Sequence, residues 1–286
     1  MSAADTSQAT TLTDARLLDV ALEAASAGAD LVRTRSADVS ILSWTEKTTA
    51  DFVTEVDREA ESAIAAVIRG RAPEARTVGE ELAPELGSQD GIVFVIDPLD
   101  GTTNFLHSYP EYAVSVGVAR DGRLVAGAII NVPTGEVFSA AAGHGAQCNS
   151  KTIRVSDTAQ PGRALIGTGF PFKHLQYLPR YLRQMERIIR KTAGVRRAGS
   201  AALDLADVAC GRFDGFWELM LAPWDVAAGI VIVREAGGVV TDTHGEHSTV
   251  AHAPVVAGNP AIHAWLLQTI SGSQSPDSNT IPRAQM

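Results

Sequence analysis

Between residues 91 and 142 the sequence is a succession of short apolar runs rich in β-branched residues: GIVFVI, YAVSVGVA, LVAGAIINV and EVFSAAA. Turn signals at Asp121-Gly122 and Pro133-Thr134-Gly135 separate the later runs. Runs this short, punctuated this closely, are strands whose tight turns bring neighbours together antiparallel, so a meander is predicted. Helical spacing frames it. Ala15, Leu18, Leu22, Ala25, Ala29 and Val32 predict a first amphipathic helix, and a second is predicted from Val56 to Arg69. Thr54 can cap that second helix with Asp57 at the capping-box position, Ala60, Ile64 and Val67 or Ile68 form its buried stripe, and Gly70 and Pro73 end it. After the meander come a strand in ALIGTGF, a basic helix from Leu178 to Lys191, helices after Gly199-Ser200 and Trp224-Asp225, and last strands in VVTD and PVVAG. Helices flanking sheets in mixed order predict a layered α+β protein.

The chain has 286 residues, 45% hydrophobic and 20% charged, which suffices for a buried core over one domain from residue 12 to 270. The small polar N-terminus (1–11) and the Ser/Pro/Gln-rich end (271–286) are predicted to be disordered tails. Lys and Arg total 24 against 33 Asp and Glu, a net charge of −9, which argues against a generally basic nucleic-acid binder. Cys148 and Cys210 are the two cysteines, far apart in sequence, and support neither a disulfide framework nor a zinc site. With no secretory leader pattern and no long apolar run, a cytoplasmic protein without a membrane association is expected.

The chemistry concentrates in GIVFVIDPLDGTTNF, where an apolar strand runs into Asp97-Pro98-Leu99-Asp100 and then Gly101-Thr102-Thr103. Two carboxylates and the intervening Leu99 carbonyl are oxygen ligands suited to a hard divalent cation such as Mg²⁺. The residues after them can present backbone N–H groups to an anion. The same segment is also a sound tight turn, because Asp, Pro and Gly favour turns on conformational grounds. Glu80, in Gly79-Glu80-Glu81, could join the site or simply be solvated. Asp225 and Asp57 could serve only as helix-start acids. Phe170-Pro171-Phe172 and Phe216-Trp217 read as core before pocket wall. No GxxxxGK[ST], GxGxxG, HExxH or GxSxG pattern occurs, which disfavours nucleotide-driven transfer, dinucleotide redox chemistry, zinc proteolysis and elbow-type serine hydrolysis.

In order along the chain, DFVTEVD, GEE, DPLDGTTNF, GTGFPF, RRAGSAALDLADVACGRFDGFWE and PWDVAAG resemble the inositol monophosphatase family, in particular its bacterial branch. The resemblance implies an α-β-α-β-α sandwich of the inositol monophosphatase and sugar phosphatase type, a homodimer, and Mg²⁺-dependent, Li⁺-sensitive hydrolysis of a small phosphorylated polyol, inositol 1-phosphate first. It makes Glu80, Asp97, the Leu99 carbonyl, Asp100 and Asp225 metal ligands, with Asp57 near a weaker metal through water. It assigns Thr102 and Glu80 to the attacking water and Gly101, Thr102 and Thr103 to phosphate. Arg196, Gly199, Ser200, Ala201, Glu218 and Asp225 are the implied substrate contacts, and Lys47 lies on a mobile loop. Related folds cleave fructose 1,6-bisphosphate or histidinol phosphate, and one branch joins transcription complexes. The basic stretch from Arg180 to Arg197 reads first as a solvated face, leaving nucleic-acid or transcription-complex binding as the lesser alternative.

Overall fold

The computed structural model describes residues 12–37, 44–48, 51–247 and 253–271. In chain order its first elements are α1 (Asp14–Arg35), β1 (Trp44–Thr48), β2 (Asp51–Thr54), α2 (Glu55–Arg71), β3 (Arg76–Gly79), β4 (Ile92–Asp100) and α3 (Thr102–Leu106). The rest of the meander is β5 (Ala113–Arg120), β6 (Arg123–Asn131), β7 (Val137–Ala141), β8 (Ala146–Cys148) and β9 (Lys151–Ile153). There follow β10 (Leu165–Thr168), α4 (Leu178–Ile189), β11 (Gly194–Arg196), α5 (Ala201–Ala209), β12 (Gly215–Leu221) and α6 (Pro223–Glu235). The chain closes with β13 (Val239–Thr241), β14 (Ala253–Gly258) and α7 (Pro260–Ser271).

β3 to β9 form a seven-stranded sheet in sequence order, and a five-stranded sheet has the order β11-β10-β12-β14-β13. The meander is as the turn signals indicated, extended at one edge by β3, which runs parallel to β4. α1 and α2 cover one face of the larger sheet, α5 and α6 fill the space between the sheets, and α4 and α7 cover the outer face of the smaller sheet. These are the layers of the α-β-α-β-α sandwich. Each layer buries apolar faces such as Phe94, Ile64 and Trp217, and full burial of side chains of this size contributes about 1.5–3 kcal/mol apiece.

The second half of the first helix follows the sequence reading, with Ala25, Ala29 and Val32 buried, but the first half is turned: Ala15 is exposed and Leu18 and Leu22 are half-buried, whereas Leu17, Ala21 and Ala24 are buried. A helix wedged between α2 and a sheet buries two faces, and the small residues take the closest approach. α2 has its Thr54 cap: the hydroxyl accepts the Val56 N–H at 3.0 Å, and the Asp57 carboxylate accepts the Thr54 N–H at 2.8 Å. It passes through Gly70 and stops at Ala72, where the following Pro73 disfavours helical backbone. Lys47 belongs to strand β1, paired with β2, rather than to a loop, and its side chain lies outside the described residues. α7 extends through Ser271, one residue into the expected tail; the tails themselves, 1–11 and 272–286, lie outside the described residues.

Candidate active site

Along a regular strand, residues three apart face opposite sides. Asp97 and Asp100 do not, because β4 carries one extra residue there: Asp97 pairs with Ser115 and Asp100 with Ala113. This bulge contains Pro98, which has no N–H to give to the ladder, and it turns both carboxylates into one cavity. The cavity is about 730 Å³ and is also lined by Glu80, Asp225 and Glu218.

Each acid has its own support. Glu80 follows β3 on a loop that the buried Glu61 of α2 holds, its carboxylate accepting the N–H groups of Glu81 at 2.7 Å and Leu82 at 3.1 Å. Asp97 is buried and accepts the Leu99 N–H at 3.0 Å. Asp100 accepts the Ser200 hydroxyl at 2.6 Å and the Ala202 N–H at 2.7 Å, fastening β4 to the start of α5. Asp225 is the third residue of α6 rather than its cap, and accepts the Ala222 N–H at 2.7 Å. Burial and the neighbouring Glu80, Asp100 and Asp225 push the Asp97 carboxyl well above the usual carboxylate range. Such crowding of like charges is unfavourable unless a cation or protons offset it. Among the described residues no three His, Cys, Asp or Glu side chains are gathered closely enough to hold one ion by themselves. The donor set nevertheless fits a hard cation of the Mg²⁺ type, which takes one or two carboxylates and completes its shell with carbonyl, water and phosphate oxygens.

Gly101, with φ +93°, caps the short helix α3 and lies close against the backbone of residues 111 and 199. A side chain there would be strained and crowded. The turn brings residues 101–103 to the cavity wall. Thr102 Oγ1 lies 3.0 Å from the Leu99 carbonyl and 3.1 Å from Asp57 Oδ1. Asp57 is therefore beneath the cavity, not among its lining residues.

On the opposite wall Glu218 projects from β12, its carboxyl seated directly over Gly169, where any Cβ would overlap it. Burial and the nearby Asp225 raise the Glu218 carboxyl to about 8, with Arg197 opposing. Gly199, Ser200 and Ala201 line the cavity. The Ser200 hydroxyl, however, caps α5 by accepting the Leu203 N–H at 3.3 Å while donating to Asp100. Ser200→Ala is expected to cost about 1 kcal/mol or more, a fall of a few degrees in the midpoint of thermal unfolding, through lost capping. An unchanged midpoint would remove that capping role.

Arg196 does not line the cavity: it is exposed, and its guanidinium contacts the Val195 carbonyl. Arg197 lines it instead, stacked 5.5 Å from the Phe170 ring centre and 5.3 Å from that of Phe172. Two adjacent arginines after a short strand gave no means of choosing between them. Phe170 and Phe172 are exposed at the cavity rim, while Phe216 and Trp217 are core, so only the second pair follows the expectation. Lys173 and Asp204 also line the cavity and were missed. Asp204 left a signal, an acid inside the otherwise apolar AALDLA.

Comparisons with known proteins find relatives along nearly the whole chain. The model of the inositol monophosphatase family matches residues 14–275. The Nus factor SuhB of Pseudomonas aeruginosa is 43% identical over 264 residues, covering 91% of this chain and 97% of the relative. The crystal structure of the extragenic suppressor protein suhB from Bartonella henselae superposes with a TM-score of 0.85 at 39% identity, over 89% of this chain and 98% of that one. The inositol monophosphatase from Anabaena (Nostoc) superposes at 0.77 with 35% identity, over 90% and 95%. Among the described residues no helix is long and apolar enough to cross a membrane. With the bulged acid pair, the capped Gly-Thr-Thr turn and Glu218 arranged around one cavity, and a family match spanning nearly the whole chain, this protein belongs to the inositol monophosphatase family.

Proposed function

We propose that the chain hydrolyses a small phosphate monoester with Mg²⁺, inositol 1-phosphate first among candidates, by direct attack of water. The observation that carries this reading is the bulge in β4, which aims Asp97 and Asp100 into the cavity shared with Glu80 and Asp225. Together with the Leu99 carbonyl these groups would hold the metal. Bound there, Mg²⁺ supplies charge neutralisation for the phosphate and leaving alkoxide and acidifies the attacking water.

The chain's own residues do the positioning. N–H groups of residues 101–103 meet phosphate oxygens at the start of α3. The Thr102 hydroxyl, held between Leu99 and Asp57, and the Glu80 carboxylate orient the water. Glu218 meets hydroxyls of the polyol half, since a carboxyl group offers acceptor oxygens to them and, when protonated, a donor as well. A covalent intermediate is disfavoured: the serine in the cavity wall, Ser200, has its hydroxyl committed to Asp100 and to the Leu203 N–H.

Kinetics on inositol 1-phosphate, glycerol 2-phosphate, histidinol phosphate and fructose 1,6-bisphosphate test this. Expected are a preference of about tenfold or more in kcat/KM for inositol 1-phosphate, loss of turnover in EDTA, recovery with Mg²⁺ and inhibition by Li⁺. Absence of turnover on all four would overturn the reading.

The Pseudomonas relative's name, Nus factor, favours a second reading, a part in transcription complexes. With net charge −9 the chain would need a local patch, and Arg183 of α4 and Arg190 just after it are exposed, although Arg190 pairs with Glu186 at 2.7 Å. Pull-down of transcription proteins would support this reading, and RNA affinity with no salt dependence would argue against nucleic acid as the ligand.

A further inference from the structure

Helix α5 is buried on nearly every side, through Ala201, Ala202, Leu203, Leu205, Ala206 and Val208. A carboxyl inserted in such a helix is costly unless it is hydrogen-bonded. Other buried acids meet that condition. Asp214 accepts the Ser156 hydroxyl and the Leu165 N–H, and Glu61 accepts two backbone N–H groups. Asp204 is the exception: it is 2% exposed, and its Oδ1 has no hydrogen-bond partner among the described residues. It lines the cavity.

We propose that Asp204 is a second contact for the alcohol half of the substrate, working beside Glu218 to select esters whose leaving group carries further free hydroxyls. This rests on the phosphatase reading above. The charged groups acting most strongly on Asp204 are Glu218, Asp100, Asp207 and Glu111, all acids, so an anion is repelled from it. Burial and those acids raise the Asp204 carboxyl well above the ordinary range, which favours its protonated form. A protonated carboxyl offers one donor and remaining acceptor capacity, the complement of a hydroxyl group, which also does both. Two carboxyl groups on adjoining elements, α5 and β12, thus form a wall suited to a polyol and poor for an aromatic or simple alkyl leaving group.

The test is the ratio of kcat/KM for inositol 1-phosphate to that for p-nitrophenyl phosphate, whose leaving group has no further hydroxyl. In Asp204→Ala the ratio is expected to fall by about tenfold or more, about 1.4 kcal/mol, with the loss appearing in KM for inositol 1-phosphate. Asp204→Asn, which keeps a donor and an acceptor, is expected to lose less. A ratio that falls by less than threefold in Asp204→Ala, or equal losses on both esters, overturns the proposal. Should thermal unfolding show that the Ala variant does not fold, the Asn variant decides, and a ratio no lower than that of the unsubstituted chain overturns it. An unsubstituted chain that turns over neither ester fails the phosphatase reading itself and is distinguished by that control.

Discussion

Asp97→Asn is expected to lower Mg²⁺-dependent phosphatase activity by about a thousandfold or more, roughly 4 kcal/mol of transition-state stabilisation, while the protein stays folded. The amide keeps the shape of the side chain and can still accept the Leu99 N–H through its oxygen, but it removes a negative charge from the cation's donor set. Because Asp97 is buried among Glu80, Asp100 and Asp225, removing its charge relieves repulsion in the metal-free protein. Thermal unfolding in EDTA should therefore show a midpoint no lower than that of the unsubstituted chain. Activity retained within tenfold would take Asp97 out of the metal shell and leave the bulge a purely structural feature.

Gly169→Ala is the second large effect. The Glu218 carboxyl occupies the space a Cβ would take, so the substitution forces the carboxylate to move while the surrounding strands β10 and β12 keep their pairing. Moving the buried carboxyl leaves a substrate hydroxyl without its partner, which corresponds to about 1–3 kcal/mol, or about 5- to 150-fold in kcat/KM for inositol 1-phosphate. The half-saturating Mg²⁺ concentration should change by less than threefold, because the added Cβ meets the Glu218 carboxyl first, and Glu218 is not among the proposed metal ligands. A large shift in Mg²⁺ dependence with little change in KM for the ester would show that Glu218 serves the metal instead.

Much of the architecture was legible locally. The capping pair Thr54 and Asp57, the turns of the meander and the strand in front of Asp97 each depend on residues within a few positions of one another. β12 was harder to read, because GFWELML is a short, mostly buried apolar run, and such a run has no period that separates strand from helix. Within the site, the motif acids stood out as residue types, but their roles as lining or support did not. Asp57 is a first-turn acid by pattern and a brace for Thr102 by geometry. Arg196 and Arg197 are equivalent as letters, and only the path of the chain leaving β11 brings the second to the cavity.

The linear order of residues by itself determined much of the meander, the cap of α2, the acid-rich strand end and the kind of ligand such oxygens suit, because these follow from backbone preferences and side-chain chemistry over short spans. Tertiary structure alone decided that Asp97 and Asp100 share a side of the sheet, that Glu218 sits over Gly169 and that Asp204 joins them with an oxygen left unpaired. Those facts depend on one extra residue in a strand register and on contacts between stretches more than a hundred residues apart, from Asp97 to Asp225. No local preference encodes them. They arise only when the layers close and each carboxylate gains its particular neighbours.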